Sequence, residues 1–285
     1  MTTDTPVLPV TESALARAGM TPDPRLREIM TSLIGHLHAF VTEVKLTPDE
    51  WTAAISFLTR TGHACTDLRQ EFILLSDTLG VSVLVDEMAN PKPPPATPSS
   101  VLGPFYTHDA PEIAHGDTIA RSGKGELTYV RGTVRDMQGK PIPGALVEAW
   151  ETDGEGTYDT QYAVREAPDY RGYLHTGPDG RYAFYAVKPV SYSVPTDGPV
   201  GEMLRAAGRL SMRPAHLHLK VSAAGYEPLT TSAYTAGDPY IDADAVYGVK
   251  PELIRTYEPY KPEAHGALDP APQWVLDFDI VLPAA

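Results

Sequence analysis

RPAHLHLKV, residues 213–221, has an alternation that a β-strand turns into two faces. Successive side chains on a strand point to opposite sides, so Leu217, Leu219 and Val221 share one face and His216, His218 and Lys220 the other. The leucine–valine face belongs in a core. The other face carries two imidazoles side by side, with Pro214 fixing the chain before them and Arg213 three residues ahead of His216. Such a pair occurs on surfaces and in hydrogen-bonded cores as well as around metals, so by itself it leaves these readings open.

The same period of two recurs on both sides of this stretch. ELTYVRGTVRD runs into a turn at MQGK, and ALVEAWETD follows as a second strand. YRGYLHT and RYAFYAVKP flank GPDG, and HLHLKVS and PLTTSAYT flank AAGYE. Near the C-terminus Leu276, Phe278, Ile280 and Leu282 alternate with Asp277, Asp279 and Val281. Many short strands with Gly/Pro turns, and no parallel βαβ rhythm, predict an antiparallel β-sandwich or barrel from residue 101 onward. GPVGEMLRAAGR, 198–209, reads as an excursion carrying a short helix.

The first ninety residues have a helical rhythm instead. Leu26, Met30, Leu33, Leu37, Phe40 and Val44 recur at steps of four and three, which makes a helix-packing seam in need of a partner surface. TPDE opens a second helix: Thr47 as N-cap, Pro48 in the first turn and Glu50 completing a capping box, with Trp51, Ile55 and Leu58 on one face and Gly62 as a stop. A third helix is expected near Thr66, carrying Leu68, Phe72, Leu75 and Leu79. His36 and His38 fall on opposing helix faces and form no pair. The proline-rich NPKPPPATPSS, 90–100, is the expected linker. The fold class is therefore a mainly β chain with an α-helical N-terminal domain: a helical domain and linker over 1–100, and a β-sandwich over 101–285.

Charge and cysteine content narrow the function classes. A net charge of −14 argues against nucleic acid as a partner, because phosphate binding needs a basic surface. The single Cys65 cannot form a disulfide within the chain and reads as buried filler. No signal peptide is evident in the first twenty residues, and no apolar run approaches the ~18 residues of a membrane span. A cytoplasmic protein with no membrane partner is expected.

Two imidazoles rarely complete a metal site. Cysteine is excluded by count, and no His-Glu-x-x-His helix is present. A carboxylate would complete a two-histidine, one-carboxylate iron(II) set. Tyrosine is the other hard oxygen donor, and there are fifteen, so position must sort them. Tyr182 and Tyr185 lie inside a strand, where tyrosine packs. Tyr158 is in a Gly-rich loop just after a strand, and Tyr192 lies between prolines just beyond another, places where a sheet presents functional groups.

GTYDTQ (156–161), KPVSYSVPTDGPVG (188–201), RPAHLHLKV and TAGDPYIDADAVYGVK (235–250) occur in this order, with GPFY (103–106) and DMQGKPIPGALVEAWETD (136–153) ahead of them. Together they resemble the intradiol ring-cleaving dioxygenases. LRQEFILLSDTLGVSVLVDEM (68–88) is similar to the helical domain of that family, so the resemblance spans nearly the whole chain. It implies a mononuclear iron(III) held by Tyr158, Tyr192, His216 and His218, with Tyr192 as the displaceable ligand that accepts a substrate proton. It also implies that Arg213 stabilises charge developing on the substrate. The residue types agree: a hard trivalent cation stabilises phenolate far below the ordinary phenol pKa of ~10.

Within the family, SVPTDGPVG and GDPYIDADAVYGVK look most like the members that cleave hydroxyquinol (benzene-1,2,4-triol) to 3-hydroxy-cis,cis-muconate and maleylacetate. Catechol and chlorocatechol are the alternatives. Motif position implies a pocket lined by Leu74, Asp77, Gly103, Pro104, Phe105, Val194 and Pro195, with Asp77 placed to accept a hydrogen bond from the third hydroxyl. Some relatives carry Gln where this chain has Ser232, and the shorter Ser232 is expected not to reach a ligand histidine. The resemblance further implies O₂ as co-substrate, a homodimer through the N-terminal helices, and a lipid-like molecule at that interface in some members. The rival class is a transthyretin-like binding module, which needs neither iron nor Arg213 and would be colourless.

Overall fold

The structure is a computed structural model that describes residues 8–66 and 69–285. These fall into two compact units, divided between Arg60 and Thr61.

The first unit is helical: α1 (Pro9–Ala18), α2 (Pro24–Val44) and most of α3 (Pro48–His63). Asp23 caps α2 by accepting the Leu26 N–H at 2.6 Å, and Lys45, in the left-handed region, ends it. The capping box at α3 forms as expected, Thr47 N–H donating to Glu50 at 2.8 Å and Glu50 N–H to Thr47 Oγ1 at 3.3 Å. α3 runs one residue past Gly62. The α2 seam is bare: Leu26, Leu33, Leu37, Phe40 and Val44 are about half exposed, as are Trp51, Ile55 and Leu58 on α3. His38 merely meets Thr11 at 2.8 Å.

In the second unit the expected third helix starts later. Thr66 and Arg69 are bonded in both directions, the Thr66 N–H donating to the Arg69 carbonyl at 2.8 Å and the Arg69 N–H to Thr66 Oγ1 at 3.0 Å. α4 is therefore Glu71–Thr78, Leu79 caps it, and Leu68 lies outside the described residues. Gly80, at φ +75°, breaks the chain before α5 (Val81–Ala89). The short helix expected in 198–209 is α6 (Pro199–Ala206).

The strands are β1 (Leu127–Asp136), β2 (Leu146–Trp150), β3 (Arg171–His175), β4 (Arg181–Val187), β5 (Tyr192–Ser193), β6 (Met212–Arg213), β7 (His216–Ser222), β8 (Leu229–Thr235), β9 (Ile254–Arg255), β10 (Glu258–Pro259), β11 (Trp274–Asp277) and β12 (Ile280–Leu282). One sheet has the order β10-β11-β1-β12, with β4 also on β1, and the other β3-β2-β7-β8-β9. Val130, Phe184, Leu276 and Ile280 of the first share one buried cluster with Val147, Leu217, Leu219 and Val221 of the second. That common core is the expected sandwich. It departs from pure antiparallel pairing at β1–β11, β1–β12 and β8–β9, which are parallel. Alternation reports which face is apolar but not strand direction, so these pairings left no mark in the pattern.

Candidate metal centre

Because Leu217, Leu219 and Val221 point into the core, His216 and His218 stand on the outer face of the second sheet. The register lines up Arg171 of β3, Trp150 of β2, His218 of β7 and Ser232 of β8 as one row of cross-strand neighbours. Trp150 lies flat on His218, ring centroids 4.7 Å apart at 4°. Ser232 Oγ is 3.2 Å from His218 Nδ1. This corrects the expectation that Ser232 is too short to reach. As the direct cross-strand partner of His218 it already stands beside the ring, and a longer side chain is unnecessary. In the neighbouring row, Tyr234 pairs with His216 and their rings are 5.2 Å apart.

The two tyrosines arrive from outside the sheet. Tyr158 follows a loop pinned by its own N–H donating to Gln161 at 3.0 Å, and its ring stacks on Phe105 at 4.4 Å. Tyr192 is on the short β5–β6 ribbon, directly opposite Arg213. The two loops touch at Gly156, whose φ is +84° and where a Cβ would sit 3.1 Å from Tyr192 Cβ, so glycine answers both demands.

The four polar tips converge. Tyr158 Oη donates to Tyr192 Oη at 3.3 Å, and His216 Nε2 lies 3.0 Å from His218 Nε2. All four residues are buried, Tyr158 completely. His216 Nδ1 must donate to the Pro214 carbonyl, 2.7 Å away, which leaves a lone pair on Nε2. Burial, reinforced by the charge of Arg213, pushes His216 down to about 3, and burial with the neighbouring His216 does the same in direction for His218. Burial, with Tyr192 alongside, pushes the Tyr158 phenol well up. Neutral imidazoles aimed at a buried point, beside two phenol oxygens, fit a hard trivalent cation. Among the described residues no group of three or more His, Cys, Asp and Glu is arranged to hold a metal.

Arg213 is 3% exposed, and Nη1 reaches Tyr192 Oη at 3.4 Å and His216 Nε2 at 3.2 Å. Its charge is matched by Asp244, which accepts from Nε at 3.1 Å and Nη2 at 3.3 Å. Burial opposes the guanidinium charge, and Asp244 more than restores it.

The expected pocket residues separate into two groups. Leu74, Pro104, Phe105 and Pro195 line a cavity of about 350 Å³ beside Tyr158, together with Arg69, Tyr106 and Gln161. Gly103 backs His218: a Cβ there would be 3.8 Å from Cε1. Val194 and Asp77 are buried outside that lining. Val194 joins Leu74 in an apolar cluster with Val200 and Leu204 of α6. Asp77 sits one turn beyond Leu74 on α4, its acid raised by burial within the field of Arg213 and Asp244. α4 is set against α6 by Glu71, which accepts the Val200 N–H at 3.1 Å in the first turn of α6.

A family model described as "Dioxygenase" matches residues 101–284, and one described as "Catechol dioxygenase N terminus" matches 23–97. The chain belongs to the intradiol ring-cleaving dioxygenase family. It is 49% identical over 245 residues to 6-chlorohydroxyquinol 1,2-dioxygenase of Cupriavidus pinatubonensis, covering 86% of this chain and 89% of that one. To hydroxyquinol 1,2-dioxygenase of Rhodococcus opacus it is 45% identical, covering 95% and 92%. The structure of hydroxyquinol 1,2-dioxygenase from Pseudomonas putida DLL-E4 superposes with a TM-score of 0.91 at 42% identity, covering 97% and 98%. The family is iron-dependent.

Trp150, Tyr234, Asp244, Asp159 and Arg171 of this dioxygenase escaped sequence reasoning, although the quoted motifs contain most of them. Their roles depend on cross-strand neighbours, which a single strand's alternation does not name. Because Ser232 is the polar contact of His218 Nδ1, Ser232→Ala is expected to lower metal affinity or turnover by ~10- to 100-fold at unchanged fold. Titrating iron into the metal-stripped variant checks this; parent-like affinity and turnover would remove Ser232 from the centre.

Glu151, next to Trp150, is fully buried, its Oε1 accepting the Val187 N–H at 2.9 Å. Its Oε2 has no hydrogen-bond partner among the described residues, and burial pushes its acid well above the carboxylate range. The unfolded chain ionises near ~4.3, so between that value and the raised folded one stability falls as pH climbs. Glu151→Gln is expected to outlast the parent by a margin that widens by ~1.4 kcal/mol per pH unit in that window. Denaturant midpoints at two pH values test it, and a margin independent of pH contradicts it.

Proposed function

We propose that this enzyme cleaves hydroxyquinol with O₂ to 3-hydroxy-cis,cis-muconate and maleylacetate, on a ferric ion held by Tyr158, Tyr192, His216 and His218. The observation that carries this reading is the convergence of two phenol and two imidazole tips at one buried point. The hydroxyquinol-cleaving relatives support the choice of diol. The metal supplies Lewis acidity and a template for the diol oxygens.

The chain's own groups do the rest. Tyr192 Oη, within reach of Arg213, is the group placed to take a proton from the diol. Arg213 is locked by Asp244, with Nη1 turned toward Tyr192 Oη and His216 Nε2 and so toward the place where negative charge develops, and little reorganisation accompanies reaction. Phe105 holds the Tyr158 ring by stacking, and Leu74, Pro104 and Pro195 form an apolar wall that strips water from the ring. Asp77, with Arg213 and Asp244 near it, accepts the third hydroxyl.

Asp77→Asn is expected to reduce kcat/KM for hydroxyquinol by ~10- to 100-fold while catechol turnover changes little, since a hydrogen bond to a charged group contributes ~1.5–3 kcal/mol. Assaying the parent on both diols is the primary test. A parent that prefers catechol would overturn the hydroxyquinol assignment and leave the family untouched.

The same reading keeps 1–100 as helical dimerisation domain and linker and 101–285 as catalytic domain. Its homodimer covers the exposed α2 seam, and the many bare apolar side chains there suit a lipid-like occupant. No helix among the described residues is long and apolar enough to cross a membrane. The reading places the enzyme in the cytoplasm.

A further inference from the structure

The row that contains His218 also contains a fully buried cation with no part in the reaction as described. Arg171 is 1% exposed. Its Nε lies 3.0 Å from both carboxylate oxygens of Asp159, and its Nη2 binds the same carboxylate. Its Nη1 points elsewhere, donating to the Phe105 carbonyl at 3.0 Å and Thr107 Oγ1 at 2.7 Å.

These partners lie on the two segments that meet at the centre. Asp159 immediately follows Tyr158, while Phe105 and Thr107 line the pocket, and the Phe105 ring stacks on Tyr158. Asp159 is filled from its other side by Arg165 Nε at 2.9 Å and the Asp169 N–H at 3.1 Å. Arg165 continues outward to Asp109 at 2.6 Å. A guanidinium is a rigid planar fork, so binding two segments with different edges fixes their separation. A lysine could make the charge pair but not both edges.

We propose that Arg171 is a positioning residue for the ring-cleavage reaction, its single guanidinium holding the Tyr158 loop and the Phe105–Thr107 pocket wall at one spacing. This rests on the reading of Tyr158 as an iron ligand. It acts through Tyr158 on the metal–phenolate bond and through Phe105 on the pocket, so colour and KM both depend on it.

Three variants separate this role from general support of the fold. Thr107→Val keeps shape and the Arg171–Asp159 ion pair and removes the hydroxyl that accepts from Arg171 and donates to Asp109 at 2.6 Å; KM for hydroxyquinol is expected to rise about threefold or more, with kcat and Tm little changed. The double variant Arg171→Gln/Asp159→Asn removes both buried charges together, so neither is left unpaired. It is expected to retain iron by elemental analysis, show a shifted phenolate-to-iron band in the visible spectrum, and raise KM about tenfold or more. Arg165→Gln touches Asp159 and, through Asp109, the Thr107 hydroxyl, but leaves both edges of Arg171 in place, and is expected to leave band and KM within about twofold. Parent-like band and KM in the first two variants would overturn the proposal. So would equal shifts in Arg165→Gln, since the two edges of Arg171 would then not be what sets the spacing. If the double variant does not fold, the KM of Thr107→Val decides. An iron-loaded parent with no phenolate band is a different failure, that of the Tyr158 reading itself.

Discussion

Tyr158→Phe is expected to weaken and shift the visible band of the iron-loaded protein, leaving only the Tyr192 phenolate, and to cut kcat/KM by ~10³-fold or more, beyond the 10- to 100-fold typical of residues that only support a ligand. The substitution removes one oxygen and almost nothing else. The ring stacks on Phe105 at 4.4 Å and meets Tyr192 edge-on at 5.4 Å, contacts that phenylalanine repeats. The lost oxygen is one of the four converging donors, and in the proposed site it is one of two phenol oxygens that would hold a ferric ion. Its neutral neighbours His216 and His218 cannot replace a phenolate charge. The fold is expected to persist, with Tm within a few degrees of the parent, about the shift that ~1 kcal/mol produces in a domain of this size. Iron content, the visible spectrum and turnover on the same preparation check it. A Tyr158→Phe variant with parent-like band and turnover would put the oxygen donor elsewhere.

Asp244→Asn is expected to lower stability by ~3–5 kcal/mol, the usual result of leaving one partner of a buried ion pair uncompensated. Asp244 does three jobs: it meets Nε and Nη2 of Arg213 and accepts the backbone N–H groups of Val246 at 3.2 Å and Gly248 at 2.9 Å. Asparagine keeps one acceptor but turns an amide N–H toward a guanidinium. Arg213 then loses its fixed direction toward Tyr192 and His216, and kcat is expected to fall by ~10²-fold, the scale of a lost preorganised donor. The pH dependence has a definite sign. Burial alone would raise the Asp244 acid, and the charge of Arg213 outweighs it, so the folded value lies below the ordinary one. The pair's contribution is complete above ~4 and disappears as pH falls through the depressed value. Denaturant melts of parent and variant should therefore differ by a constant amount near neutrality and converge in acid. A gap that closes as pH rises instead would refute the pairing argument.

Legibility followed periodicity. The capping box at Thr47 and Glu50 formed, and the apolar faces of β7 and the C-terminal strands all went into one core, because these depend on residues near in sequence. The α2 seam was equally legible, and most of its apolar side chains are about half exposed. Legibility stopped where neighbours come from distant strands. Ser232 was set aside on side-chain length alone, yet register made length irrelevant. Asp244 lay inside a quoted motif without a role, because the segment after β8 that returns it to Arg213 has no periodic signature.

From sequence alone came the two faces of residues 216–221, the exclusion of cysteine, the helical and β halves, and the residue types able to neutralise a hard cation. Those follow from side-chain alternation and donor chemistry, which are local. Tertiary structure alone decided that Arg171, Trp150, His218 and Ser232 form one row, that parallel pairs flank β1 and β8, and that Asp244 balances Arg213. The physical reason is that alternation assigns each side chain a face but leaves strand order, direction and register open, and every neighbour across a sheet is set by those three.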